Sequence, residues 1–247
     1  MIGVDHLRPV GLDELTSRAA LMSRVDRKYM LPPGELPELL AAVADAVLVL
    51  DIEGRRDFGY RSVYFDTPHL DSFLGTVRRR RRRFKVRVRS YLDTGGRYTE
   101  VKTRGPRGAT VKRRTACRDE SRLDTGAGLL LAEAGVAAAP ARFRPTLTTT
   151  YRRTTFLLPA TGGRVTVDTH LTWTVPGGGR LETPGRVIVE TKSAGAALPV
   201  DRLLWSLGHR PCSVSKYGTG LAALRPELPA NRWQPVLRRH FPTEEER

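Results

Sequence analysis

From Arg78 to Arg114 the chain adopts a period of two in which cations recur on one side. In residues 84–92, Lys85, Arg87 and Arg89 alternate with Phe84, Val86 and Val88. Successive side chains of a strand point to opposite faces, so the two sets line opposite faces. Residues 97–104 set Tyr98, Glu100, Lys102 and Arg104 against Thr99, Val101 and Thr103, and residues 110–118 carry Lys112 and Arg114 beside Val111. The segment 78–114 holds sixteen basic residues and two acids, Asp93 and Glu100, so its net +14 accounts for most of the chain's +16. A charge that large and that localised predicts a polyanionic partner.

The same alternation recurs outside this segment. Arg24, Asp26 and Lys28 face away from Val25; Arg164, Thr166, Asp168 and His170 from Val165, Val167 and Leu171; Glu190 and Lys192 from Val187, Val189 and Thr191. A single strand of this kind is most simply a sheet with a solvated face. For the whole set that reading meets a difficulty, because neighbouring strands would place like charges opposite one another. A barrel with its polar face inward and its apolar face covered by helices removes the difficulty. Unpaired buried cations cost several kcal/mol each, so the interior must be hydrated and meant for a polyanion. Arg suits it, since its planar fork binds phosphate oxygens in pairs. Glu100, Asp168 and Glu190 are then either neutralising partners or ligands of a divalent metal; a salt bridge suits Glu100 and Asp168, and both roles stay open for Glu190.

The expected architecture is α+β, a closed antiparallel β-barrel of about eight strands with helices packed outside. Helices are expected over residues 13–22, 34–46, 123–139, 198–207 and 217–224, with a turn or two over 69–77. Strands are expected over 24–31, 47–52, 60–65, 84–92, 97–104, 110–118, 146–158, 164–175 and 186–191. Three segments result: an N-terminal helical segment over 1–23, a tunnel domain over 24–225, and a loosely packed tail over 226–247. No apolar run is long enough to span a membrane. No signal peptide is read, and two unspaced cysteines, Cys117 and Cys212, suit a reducing cytoplasm.

Nine segments in order then carry a family resemblance: Arg24-Val-Asp-Arg-Lys28-Tyr, Arg61-Ser-Val-Tyr-Phe-Asp66-Thr, Lys85-Val-Arg-Val-Arg89-Ser-Tyr, Glu100-Val-Lys102, Val111-Lys-Arg-Arg114, Tyr151-Arg-Arg153, Arg164-Val-Thr-Val-Asp168-Thr, Glu190-Thr-Lys192 and Ser215-Lys-Tyr217. Together they resemble the catalytic domain of the VTC (vacuolar transporter chaperone) family, a branch of the CYTH-like triphosphate tunnel metalloenzymes. The resemblance implies a polyphosphate polymerase that transfers the γ-phosphate of ATP to a growing chain and releases ADP. By motif position it implies Lys28, Arg87, Arg89, Lys102, Lys112, Arg153, Arg164 and Lys216 as phosphate ligands. It further implies Arg24, Glu100, Lys192, Ser215 and Tyr217 as substrate-binding, and Glu190 as the carrier of Mn²⁺ or Mg²⁺. The Glu-x-Glu-x-Lys signature of the hydrolytic members is replaced by Arg24-x-Asp26-x-Lys28. Losing a carboxylate there weakens a second metal site and favours the polymerase over a tunnel triphosphatase.

Phosphoryl transfer of this kind needs positioning and charge stabilisation more than a covalent catalyst. Consistent with that, the chain has no G-x-S-x-G, H-E-x-x-H or P-loop motif. The six arginines 78–83 could form a nucleic-acid arm, but aromatics for base stacking make up 7% of the chain, and a solvated loop at the tunnel mouth is the preferred reading. No nucleic-acid partner is expected. ATP and polyphosphate are, with a separate membrane partner if the polymer is transported, which would hold the protein at the inner face of the membrane. A non-catalytic polyphosphate-binding module is the remaining alternative.

Overall fold

A computed structural model describes residues 3–18, 25–104 and 110–241. The strands are β1 (Pro9–Val10), β2 (Val25–Leu31), β3 (Leu48–Leu50), β4 (Phe58–Asp66), β5 (Phe84–Tyr91), β6 (Arg97–Arg104), β7 (Thr110–Ala116), β8 (Arg144–Leu158), β9 (Gly163–Thr174), β10 (Arg180–Glu182) and β11 (Val187–Ser193). The helices are α1 (Leu12–Arg18), α2 (Leu36–Val43), α3 (Asp71–Val77), α4 (Thr125–Glu133), α5 (Pro199–Ser206), α6 (Lys216–Leu224) and α7 (Gln234–His240). The class is α+β, as expected. The hydrogen-bonded order is β2-β11-β9-β8-β4-β5-β6-β7, eight strands, with β1, β3 and β10 attached beside it. Ladders β2–β11, β11–β9, β4–β5, β5–β6 and β6–β7 are antiparallel.

The chain divides into two compact units: residues 1–58, 151–171 and 183–213, and residues 59–150, 172–182 and 214–247. In the first unit, alternation on β2, β9 and β11 buries Tyr29, Leu31, Val165, Val167, Val187 and Val189. These pack against Leu36, Leu39, Leu40 and Val43 of α2 and Val200 and Leu204 of α5. Each such side chain contributes about 1.5–3 kcal/mol of burial. Asp201 of α5, fully buried, accepts hydrogen bonds from the Tyr29 hydroxyl (2.7 Å), the Thr191 hydroxyl (2.7 Å) and the Leu198 amide (2.7 Å). One carboxylate thereby ties β2, β11 and the start of α5, and its proximity, after burial, holds the Tyr29 hydroxyl well above its usual pKa. The expected helix over 34–46 is α2 with a 3₁₀ turn at either end.

In the second unit, Val63, Phe65, Val86, Val88 and Val101 form the apolar face of β4–β6 and pack on Leu130 and Leu131 of α4 with Val136 and Phe143. Helix α4 starts where the Asp124 carboxylate accepts from the Ala127 amide (2.9 Å). It stops short of residue 139 because Gly135 (φ +68) turns the chain left-handed, and the Val136 amide closes on the Leu131 carbonyl (2.9 Å). Residues 226–241 differ from the loose tail expected of them: α7 forms, and Trp233, Val236 and Phe241 are buried. The seven-residue helix, with Pro235 in its first turn, is too short to show a helical period in sequence. The expected helix over 13–22 is α1 up to Arg18; residues 19–24, Arg24 among them, lie outside the described residues.

Candidate functional site

The three hairpin strands of the second unit fix a register from which the site can be built. Lys85 lies opposite Lys102, and Lys102 opposite Lys112. Three lysines therefore form one row across three adjacent strands. The next row is Tyr64, Arg87, Glu100 and Arg114; the one after is Ser62, Arg89, Tyr98 and Ala116. All share the face opposite the Val86, Val88 and Val101 core, since strand residues two apart point the same way. Arg87, Arg89 and Glu100 are buried, Lys85 and Lys102 half-buried, and Lys112, on the outermost strand of the ladder, is more exposed.

Glu100 organises this face. Arg87 donates Nε (2.8 Å) and Nη2 (2.6 Å) to its Oε2, and Lys112 Nζ sits 2.5 Å from its Oε1. Burial opposes the charge, yet Arg87, Arg89 and Lys112 outweigh it and hold the carboxyl far below the usual range. Desolvation of the Lys112 ammonium, where it meets this face, lowers its pKa below the ordinary value against the pull of Glu100. Arg87 also donates Nη1 to the Tyr64 hydroxyl (3.2 Å) and lies over that ring; Arg89 lies over the Tyr60 ring with its centroid 5.5 Å away. The Arg89 Nε is buried with no hydrogen-bond partner among the described residues, and such an atom carries a desolvation cost until something accepts from it.

Helix α6 of the same unit begins on this face. Ser215 caps it, accepting from the Gly218 amide (3.2 Å) and from Lys85 Nζ (3.1 Å). Lys216 follows, with its carbonyl accepting from Trp173 Nε1 (2.8 Å). Tyr217, a member of the substrate set by resemblance, is buried: it stacks on Tyr64 (centroids 5.1 Å, 19° between planes) and donates its hydroxyl to Asp66 Oδ2 (2.6 Å). Asp66 also accepts from the amides of Thr67 (2.8 Å), Ser72 (2.9 Å) and Phe73 (2.9 Å). This buried carboxylate joins the end of β4, the first turn of α3 and the first turn of α6.

The other expected residues lie in the first unit. Glu190 is opposite both Lys28 and Thr166, and Lys192 opposite both Asp26 and Arg164. Lys192 Nζ is 2.7 Å from Glu190 Oε2, and Lys28 Nζ is 3.9 Å from Oε1. Burial opposes the Glu190 charge, but Lys192, Lys28 and Arg153 hold its carboxyl well below the usual range. Arg153 forks onto Asp168, Nε to Oδ1 (2.5 Å) and Nη2 to Oδ2 (2.8 Å), the salt bridge expected for that acid. Arg164 reaches the Leu15 carbonyl at 3.5 Å. His170 is exposed at a left-handed backbone position (φ +50).

Two kinds of residue with a place at the site or in its frame lie outside the ligand set that the resemblance implies. Lys85 belongs to the cationic face yet is absent from the ligand set that the resemblance implies, although its spacing of two from Arg87 is a signal. Asp66 and Asp201 give no signal of their positioning roles, because their partners come from distant segments. Among the described residues no three His, Cys, Asp or Glu side chains are grouped to hold a metal ion. Glu100 and Asp168 are taken up by Arg87, Lys112 and Arg153, and Glu190 pairs through Oε2 with Lys192 (2.7 Å) while its Oε1 stands 3.9 Å from Lys28, which makes that oxygen the one of the set best placed to share a cation. Such a donor set fits a divalent ion that arrives on substrate phosphates and completes its shell with water.

An antiparallel sheet with rows of lysine and arginine on its polar face and with buried carboxylates spacing them defines a class of β protein with a cationic face. Within that class the VTC domain model matches residues 23–225, and the chain belongs to the VTC domain family. No match to a curated protein accompanies it. Similar solved structures include an adenylyl cyclase candidate from Hippeastrum described by a dominant triphosphatase activity (17% identity, 84% of this chain and 98% of that one, TM-score 0.48). The PH1819 protein of Pyrococcus horikoshii (15%, 83% and 99%, TM-score 0.46) and an adenylate cyclase candidate of Bacillus halodurans (12%, 90% and 96%, TM-score 0.45) are similar to a comparable degree. Among the described residues no helix is long and apolar enough to cross a membrane.

Proposed function

We propose that the protein is a polyphosphate polymerase that transfers the γ-phosphate of ATP to the end of an inorganic polyphosphate chain and releases ADP. The observation that carries this reading is the row Lys85, Lys102 and Lys112 beside Arg87 and Arg89. Like charges set directly opposite on three strands repel one another, and a polyanion lying on the face converts that repulsion into binding. Membership of the VTC domain family supports an enzyme acting on triphosphates over a simple binder, and the polymerase is the activity that the resemblance of the nine sequence segments implies.

In this reading a terminal phosphate oxygen of the acceptor chain attacks the γ-phosphorus, and the bond from that phosphorus to the β–γ bridging oxygen breaks as ADP leaves. In the second unit Arg87, Arg89, Lys102, Lys112 and Lys216 clamp phosphate oxygens, assisted by Lys85 and Ser215; in the first, Lys28, Arg153 and Arg164 serve as phosphate ligands, with Arg24 and Lys192 assisting. Their fixed charges meet the charge spread over the transferring group without reorganisation. Tyr217 acts as a positioning residue for Lys216 through Asp66, and Glu100 positions Arg87 and Lys112. Mn²⁺ or Mg²⁺ carried by Glu190 would supply neutralisation of the phosphate oxygens. The work is cytoplasmic, and coupling of the polymer to transport would need a separate membrane partner.

ATP turnover by the purified protein with Mn²⁺ or Mg²⁺, resolving ADP, free phosphate and acid-stable polyphosphate, tests this reading. Equimolar ADP and polymerised phosphate are expected, reduced at least about 100-fold in Glu190→Ala. Free phosphate without polymer would identify a triphosphatase, and tight polyphosphate binding without turnover a binding module.

A further inference from the structure

The arginine run 78–83 and the end of β6 form a feature that the phosphate-transfer reading does not use. Arg83 and Arg104 sit one row beyond Lys85 and Lys102, where the Arg104 amide donates to the Arg83 carbonyl (3.3 Å). Two residues along a strand advance about 6.7 Å on the same face, so this pair continues the lysine row toward the end of the sheet. The loop that delivers Arg83 is pinned from two sides. The Arg79 amide donates to the Thr76 carbonyl (3.2 Å) at a left-handed residue (φ +53), and the Arg80 amide to the Gly75 carbonyl (2.9 Å). From the segment before α7, Arg232 reaches in and donates Nη1 to the same Thr76 carbonyl (3.1 Å).

Arg79, Arg83, Arg104 and Arg232 are thereby gathered about one turn, and none of them forms an ion pair among the described residues. Arg79 and Arg104 are exposed, Arg83 and Arg232 half-buried, and the Arg232 Nε is buried without a hydrogen-bond partner among the described residues. Burial first, then the neighbouring guanidiniums, push both Arg83 and Arg232 below the usual range. Four cations held together with no acid among them, two of them half-buried and so less screened by solvent, repel one another, and an anion bound there would relieve that repulsion.

We infer that Arg79, Arg83, Arg104 and Arg232 form an outer subsite that takes the continuing part of a linear inorganic polyphosphate chain, beyond the phosphates held by the lysine row. The ligand class rests on the proposed function; the subsite itself rests on the row geometry and the guanidiniums that lack an acid. A linear phosphate chain is favoured over nucleic acid because the cluster offers forks for phosphate oxygens and no aromatic side chain for a base. A short triphosphate satisfied by the inner rows would not reach it.

Calorimetric titration of the full chain with tripolyphosphate and with long-chain polyphosphate, in matched salt, tests the inference without requiring turnover. Arg79→Gln with Arg104→Gln, both at exposed positions, is expected to weaken long-chain binding about tenfold or more while tripolyphosphate binding changes less than about twofold. Arg232→Gln should act the same way, and Lys102→Ala should weaken both ligands. Unchanged long-chain affinity in the double variant, or equal losses for both ligands, would overturn the subsite. Duplex DNA that displaces long polyphosphate at equal charge would overturn its ligand class. Failure of the ATP assay with this binding pattern intact would sink the polymerase and leave the subsite standing.

Discussion

Glu100 sits among Arg87, Arg89 and Lys112 with its carboxylate fully buried, and its removal separates a structural from a functional account of the cationic face. Glu100→Gln leaves three cations uncompensated, and breaking a buried pair from one side costs about 3–5 kcal/mol. Urea denaturation at neutral pH should show a loss of about 3 kcal/mol, and tripolyphosphate should restore more stability to the variant than it adds to the wild type. The pH sign follows from the depressed carboxyl. A carboxyl held below its unfolded value of 4.5 contributes stability that is complete above that value and is lost as pH falls toward the folded one. The gap between wild type and variant should therefore close progressively below about pH 4.5. This part of the site is legible in sequence because short hairpins and a strict period of two leave Lys85, Arg87, Arg89, Glu100, Lys102 and Lys112 a single face to share. Asp66 is not, because its meaning depends on Tyr217, 151 positions away, and no local pattern announces such a pairing.

At the scale of elements, helix α6 shows what alternation and periodicity leave out. Its expected span, residues 217–224, matches the observed Lys216–Leu224 closely, but nothing in the period says why it carries glycine at 218 and 220. A Cβ at Gly218 would overlap the Trp233 ring, and one at Gly220 the Trp173 ring. Trp173 cannot retreat freely, since its Nε1 is bonded to the Lys216 carbonyl at 2.8 Å. Alanine in a helix gains about 1 kcal/mol over glycine from propensity, whereas overpacking costs about 1–3 kcal/mol and more where the neighbour is pinned. Gly220→Ala should therefore destabilise, by about 2 kcal/mol in chemical denaturation, and should weaken phosphate binding through displacement of Lys216. A stabilised variant would show that the helix has room to shift. The same limit explains α7: Trp233, Val236 and Phe241 define its packing by long-range contact, and its single short helix offers no period to read. The strands are legible because both faces are written in residue type, cations on one and valines on the other.

For the whole molecule the +16 charge is a liability until a polyanion is bound, because self-repulsion opposes the compact state. Most of that charge lies in residues 78–114, and the described part of it folds within the second unit. A ligand that binds only the native state stabilises it by about 2.7 kcal/mol at a hundred times its dissociation constant. For a chain of this length each kcal/mol moves the melting midpoint by about 2–4 °C. Tripolyphosphate at that excess should thus raise Tm by roughly 5–10 °C in low salt. Exposed charges separated by more than a Debye length are screened as ionic strength rises, and half-buried cations such as Lys85 and Lys102 much less. The shift should therefore shrink in NaCl at about 0.5 M, yet persist. Complete loss of the shift there, or an equal rise produced by sulfate at the same ionic strength, would mean that the anion merely screens the surface. A shift that survives salt and disappears in Lys102→Ala would locate the relief of repulsion in the lysine row.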